Sequence, residues 1–238
     1  MFLSHAAGWL FANMQALRQC ASALVSNSYN IGGSRNYIYT PMVIESVMGA
    51  ERSMDIWSLL LQKRVIFLHG EVTDDKANSL VAQLLYLESV NPQEPVELYI
   101  NSPGGSVTAG LAIYDTMMYV NPPVHTFVTG QACSMGSLLL SAGIPGKRYA
   151  LKNSRIMLHQ PLGGTQGQAS DIMIQAKQME KVKDTIVSIY SQTTGKKKAD
   201  LMQLLDRDFW LSSQEAIDFG VIDQVLDKRE WAQPEHST

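Results

Sequence analysis

Val96-Glu97-Leu98-Tyr99-Ile100, then Asn101-Ser102-Pro103-Gly104-Gly105-Ser106, then Ala109 to Tyr119: this stretch reads as a strand, a glycine turn and a helix. The apolar run is short and follows the turn Asn91-Pro92-Gln93-Glu94-Pro95, which sets its start. Paired glycines free φ and let backbone N–H groups approach a ligand closely. The same alternation continues in both directions. Toward the N-terminus lie a helix over Asp74 to Glu88, with Leu80, Leu84 and Leu87 four and three apart, and a strand over Val65 to Leu68. Before these, Glu51 to Gln62 reads as a helix with Ile56, Leu59 and Leu60 on one side. Toward the C-terminus, strands are predicted at Val124 to Val128, Arg155 to Leu158 and Val221 to Val225, with helices at Met135 to Ala142 and Asp171 to Tyr190. Strands alternating with helices predict an α/β fold of βαβ units around a largely parallel sheet.

Composition narrows the function. The chain has 238 residues, 45% of them hydrophobic and 17% charged, enough apolar mass for a full core. A net charge of −3 argues against a nucleic-acid partner held by a basic face. No apolar run nears the roughly 18 residues that span a bilayer, so no membrane partner is expected. Cys20 and Cys133 make no disulfide framework, and their spacing suggests no metal site. Gly143-Ile144-Pro145-Gly146-Lys147 has the wrong spacing for a P-loop. No cofactor is expected.

Residues 1–39 read as a leader. The first acidic residue is Glu45, and the segment before it carries Arg18, Arg35 and an amphipathic set of Leu3, Trp9, Leu10, Met14 and Leu17. That composition is typical of an organelle presequence. A mitochondrial matrix address with a mature start near Tyr37 to Thr40 is expected; a plastid, or a bacterial cytoplasm with the leader as propeptide, is the alternative. Residues 40–228 form the expected domain and 229–238 a polar tail.

Two glycine-rich places follow strands. One is the Gly104-Gly105 turn; the other is Gly130-Gln131-Ala132-Cys133-Ser134-Met135-Gly136-Ser137. A serine at a strand-to-helix junction exposes its Oγ beside a helix N-terminus, where negative charge is favoured. Taken alone, Ser134 reads more often as a helix cap than as a nucleophile, and the glycine pair as a tight turn. Among five histidines, His159 ends a strand beside the Gln160-Pro161-Leu162-Gly163-Gly164 loop, where α/β sites are built. A satisfied core histidine is the competing reading. Cys133 is a rival nucleophile, though its position suggests a small buried thiol. The long segment Asp171 to Tyr190 has an apolar stripe of Ile172, Ala176, Met179, Val182, Ile186 and Ile189. It is either a core helix or a projecting one that meets another subunit. Lys196 to Lys198 reads as a solvated loop.

Together these segments resemble the family of proteolytic subunits of the Clp protease. The match runs from about Tyr39 to about Asp227. It includes Pro41 to Glu45, Gly49 to Ile56, Arg64 to Leu68, Tyr99 to Gly105, Gly110 to Met117, Gly130 to Gly136, Met157 to Pro161, Asp206-Arg207-Asp208 and Glu215 to Gly220. The resemblance implies a crotonase-like fold of βαβ units with a projecting handle helix over Asp171 to Tyr190. It puts the nucleophile on Ser134, the base on His159 and the acid on Asp208, with oxyanion donors at Gly105 and Met135. Substrate peptide is expected between Ser106 and Val107 on one side and Pro161, Leu162 and Gly163 on the other. Asp206 and Arg207 fall on a ring–ring contact. Tyr99, Tyr119 and Tyr149 fall on the docking pocket for an ATPase.

The implied activity is an ATP-dependent serine endopeptidase that degrades unfolded polypeptides inside two stacked seven-membered rings, fed by an AAA+ ATPase. Four departures stand out. Cys133 and Ser137 replace smaller or more apolar residues, Phe209-Trp210 replaces an Arg and one aromatic, and Glu97 stands where an aromatic is frequent. An acyl-CoA hydratase on the related fold is disfavoured because that chemistry uses carboxylate bases. A silent scaffold subunit is disfavoured because no triad member is missing.

Overall fold

The computed structural model describes residues 40–47 and 50–227; the expected leader (1–39) and polar tail (229–238) lie outside the described residues. An antiparallel pair, β1 (Met42–Val47) and β2 (Ala50–Asp55), comes first. Asp55 then caps α1 (Ile56–Gln62), its carboxylate accepting from the N–H groups of Trp57 and Ser58. The expected helix over Glu51 to Gln62 is therefore half strand, because residues 51–55 pair with β1 and helical geometry starts only after the Asp55 cap.

The main sheet is built on β3 (Val65–His69), β4 (Val96–Ser102) and β5 (Val124–Cys133), all parallel, with α2 (Asp74–Val90) and α3 (Val107–Tyr119) as the crossovers. Beyond β5 follow α4 (Met135–Ser141), β6 (Arg148–Leu151), β7 (Arg155–Leu158), α5 (Ala169–Thr194), α6 (Lys198–Leu204), β8 (Phe209–Ser212), α7 (Ser213–Phe219) and β9 (Gln224–Leu226). The ten residues of β5 serve two partners in turn. Thr126 to Val128 pair with β6, and Gln131 to Cys133 pair with β7, which pairs antiparallel with β8. The sheet forks at β5, and this fork builds the site.

Alternation on the strands explains the two faces. Ile66, Leu68, Val96, Leu98 and Ile100 are buried, at 1% exposure or less, in the core with α2 and α3 residues such as Leu80, Leu84 and Ile113. The opposite face carries a half-buried row of Phe67, Tyr99, Phe127 and Tyr149, one from each of β3 to β6. Their rings stack in register at 5.7, 4.7 and 4.8 Å between centroids.

Three further expectations needed correction. The strand foreseen at Val221 to Val225 is Gln224–Leu226, because the N–H groups of Val221 and Ile222 are drawn back to the Ala216 carbonyl at the end of α7. Lys198 opens α6 instead of lying in a loop, and the Lys196 ammonium sits 4.9 Å from the Phe219 ring centre. Helix α5 is longer than expected and divides into two zones. Its first half is exposed all round, including Met173 and Ile174, while Ile186, Val187, Ile189 and Tyr190 enter the core. The core reading of this helix holds for its last turns and not for its exposed first half.

Arg148 closes the far end of the fold. Its buried guanidinium grips Asp223 through Nη2–Oδ1 at 2.6 Å and Nε–Oδ2 at 2.9 Å. It also donates to the carbonyls of Thr193 and Gly220, tying β6 to the ends of α5 and α7. Burial pushes the Asp223 carboxyl up, but the hydrogen bonds and charge of Arg148 outweigh it and hold the group below the ordinary value. Such a group stabilises the fold fully above the unfolded pKa and loses that contribution as pH falls through the folded one. Asp223→Asn should cost about 2 kcal/mol in urea unfolding at neutral pH, less than a fully buried pair because Asp223 keeps some solvent contact. The gap between the two proteins should narrow below about pH 4; a gap that widens there would contradict this account.

Candidate active site

Three strand ends converge at the fork. Cys133, the last residue of β5, is in register with Met157 of β7, so Ser134 leaves the sheet beside β7. The last β7–β8 pair is Leu158 with Phe209, which makes His159 and Asp208 the next facing residues of that antiparallel ladder. Ser134, His159 and Asp208 each lie one residue beyond a paired strand end, on three adjoining strands.

Their side chains meet in line. His159 Nε2 is 2.9 Å from Ser134 Oγ, and His159 Nδ1 is 3.0 Å from Asp208 Oδ1. The carboxylate accepts from Nδ1–H, which leaves Nε2 free to accept from the serine hydroxyl. The imidazole is largely covered, at 14% side-chain exposure, and Asp208 is open at 58%.

Ser134 occupies the N-cap position of α4 but makes no side-chain cap. The expected alternative of a plain capping serine is thereby set aside, because its Oγ faces His159 instead. Its φ of 53° and ψ of −120° are costly for a residue with a Cβ, typically about 1–3 kcal/mol. The Ser134 N–H donates to the Met157 carbonyl at 2.8 Å, and the Ser137 and Leu138 N–H groups donate to the Ser134 carbonyl. These bonds over-determine the turn. Met135 then opens α4, so its N–H is an orphan of the first helical turn.

The glycine turn lies against this elbow. A Cβ added at Gly104 would fall 2.7 Å from Ser134 Cβ and 2.8 Å from the Cys133 carbonyl, and φ there is +93°. Gly105 (φ +152°) bridges Val72, whose N–H donates to the Gly104 carbonyl and whose carbonyl accepts from the Ser106 N–H. In a parallel bridge of this kind the N–H and C=O of Gly105 itself point away from Val72. Ser106 caps α3 through its Oγ, and Val107 opens that helix with an orphan N–H.

Pro161, Leu162 and Gly163 follow His159 without regular structure, Leu162 at 77% exposure, and Gly163 packs where a Cβ would collide with Met179 of α5. Gln160 ties the base to the acid's segment: its N–H donates to the Leu205 carbonyl and its amide nitrogen to the Asp206 carbonyl and carboxylate. Asp206 also pairs with the exposed Arg207 at 3.5 Å. The role of Gln160 carries no signal beyond its place next to His159.

The rival groups are placed elsewhere. Cys133 is 3% exposed with Sγ 3.7 Å from the Gln131 amide oxygen, and burial, helped by the Asp208 charge, pushes its thiol up. A protonated buried thiol is a poor nucleophile. His125 sits near the start of β5, at the opposite end of that strand from Ser134. His69 packs its ring on Phe67. Burial lowers both imidazoles below the ordinary value.

Tyr99 and Tyr149 line a cavity of about 580 Å³ with Phe127, Leu151 and Glu97, the last accepting from the Tyr99 hydroxyl at 3.0 Å. Tyr119 does not line it; it sits 79% exposed at the end of α3. The expected grouping of three tyrosines is therefore not formed within one chain, because α3 ends away from the aromatic face.

A serine, a histidine and an aspartate joined in this way form the side-chain arrangement of serine hydrolases. The Clp protease family matches residues 48–229, well over half of the chain, and the chain belongs to that family. It is a serine peptidase of the ClpP type, a class whose members work as oligomers. Gly104→Ala should lower peptide-cleaving activity about 100-fold while the protein stays folded, since its Cβ would displace the elbow by a fraction of an ångström to an ångström. Steady-state assay beside a circular-dichroism melt checks this; unchanged activity would show that the close approach is not needed.

Proposed function

We propose that the chain is the peptidase subunit of an ATP-dependent Clp protease, with Ser134 as nucleophile, His159 as general base and acid, and Asp208 as the group that orients the imidazole. The observation that carries this reading is the hydrogen-bonded line from Ser134 Oγ through His159 to Asp208 on a strained elbow. Ser134 Oγ attacks the scissile carbonyl carbon as its proton passes to His159 Nε2. The tetrahedral oxyanion is held by the N–H groups of Gly105 and Met135, each such donor contributing about 2.7–4 kcal/mol to the transition state. Collapse breaks the C–N bond, and His159 gives its proton to the leaving amine. Water, activated by the same imidazole, then releases the acyl group and restores Ser134.

An extended peptide is the substrate that suits this cleft. Gly105 turns its N–H and C=O outward, and Val107 offers a further N–H, which supports addition of a strand there opposite residues 161–163. Assembly into two stacked seven-membered rings is supported by the apolar residues exposed on the first half of α5 and by the open Asp206–Arg207 pair beside Asp208. An AAA+ unfoldase is proposed to dock an apolar loop over Tyr99, Phe127 and Tyr149; a pocket that includes Tyr119 would need it from a neighbouring copy. The proposed address is the mitochondrial matrix, on the composition of the leader.

Ser134→Ala should reduce kcat on a short fluorogenic peptide by about 10⁴-fold or more without changing assembly. The wild-type assembly should cut that peptide without ATP, and a folded reporter only with ATP and an unfoldase. Efficient digestion of the folded reporter by the isolated protein would contradict the enclosed chamber. Near-native cleavage by Ser134→Ala would contradict the nucleophile.

A further inference from the structure

Helix α5 does more than project. Its last core-facing residue, Tyr190, is 1% exposed, and its hydroxyl lies 2.8 Å from Ser137 Oγ and 3.3 Å from the Ser134 carbonyl. Ser137, fully buried on α4, stands with its Oγ 2.7 Å from the Ser134 carbonyl and 2.7 Å from the Met157 carbonyl. The Met157 carbonyl also accepts the Ser134 N–H. One hydroxyl thus touches the two backbone groups that fix the nucleophile's elbow to the strand carrying His159.

Ser137 has a single proton and three neighbouring oxygens, the two carbonyls and the Tyr190 hydroxyl, while the Tyr190 proton is within reach of both Ser137 Oγ and the Ser134 carbonyl. Burial pushes the Tyr190 phenol up, which keeps it a neutral donor at every working pH. Tyr190 is not needed to pair the Ser134 carbonyl, which already accepts the Ser137 and Leu138 N–H groups. What its hydroxyl adds is a link from α5 to the backbone of Ser134.

We infer that Tyr190 and Ser137 are positioning residues that lock the Ser134 elbow against β7 and couple its geometry to helix α5. The inference rests on the reading of Ser134 as nucleophile. Ser134 is held at a φ that its own Cβ disfavours, so the turn persists only while its carbonyl and N–H are restrained. Loosening one restraint lets the elbow relax toward ordinary φ and carries Oγ away from His159 Nε2. The effect falls on reactivity, not on binding of the peptide, because neither residue faces the cleft.

The test uses the assembled full-length protein, with wild type, Tyr190→Phe, Ser137→Ala and the double variant purified at the same native mass. With a short fluorogenic peptide, Tyr190→Phe should lower kcat about 10-fold, short of the roughly 100-fold of a full ångström's misplacement, with KM within about twofold. Ser137→Ala should lower kcat at least as much. In the double variant the two losses should combine to less than their product, because both hydroxyls restrain the same Ser134 carbonyl. Wild-type kcat in both single variants, with only a lower melting temperature, would overturn the inference and leave the nucleophile standing. Single effects that multiply in the double variant would also overturn it. A wild-type assembly that cleaves no peptide would instead sink the reading on which it rests.

Discussion

The 2.8 Å hydrogen bond from the Ser134 N–H to the Met157 carbonyl is the joint on which the site depends. It continues the β5–β7 ladder one step past Cys133, at the point where the chain must leave the sheet for α4. Because β7 holds β8 by the opposite polarity, fixing Ser134 to β7 also fixes its relation to His159 and Asp208. Remove that joint and the three side chains belong to three unrelated loops.

The cost of the joint is a left-handed φ at a residue with a side chain. It is offset by the Ser137 and Leu138 N–H groups and the neighbouring hydroxyls at the Ser134 carbonyl, by the bond that the Ser134 N–H donates to Met157, and by the burial of α4, every residue of which is inside. Two features of the site follow from this construction. The hydroxyl is released from capping duty, since the backbone is restrained by other groups. The Met135 N–H, at the positive end of the short helix, is left aimed at the same region as the glycine turn. Gly104 is part of the same design: only a residue without Cβ lets the two turns touch.

Much of the fold was legible in residues alone. The Leu80, Leu84 and Leu87 spacing and the Val96 to Ile100 run gave α2 and β4 because both segments are long and bury one clear face. Ser134 and His159 were visible as residues at strand ends beside glycine. Asp208 was not, since β8 has four residues and no alternation to announce it; it came through the family resemblance. The β1–β2 pair was hidden because residues 51–55 bury little and mimic a helix start. Tyr190 was invisible for another reason: its partner lies 53 residues away, and local pattern carries no information about a contact across α4 and α5. The separation of Tyr119 from Tyr99 and Tyr149 likewise depends on where α3 ends relative to the sheet face, which spacing does not encode.

The proposed chemistry requires that the elbow make one particular hydroxyl reactive out of many. The most direct measurement is the mass of the intact chain after reaction with a fluorophosphonate, followed by peptide mapping. A single adduct per chain is expected on the peptide containing Ser134, with that adduct lost in His159→Ala. An adduct on Ser137, Cys133 or a serine outside the fork, or no adduct in the fully assembled protein, would contradict it.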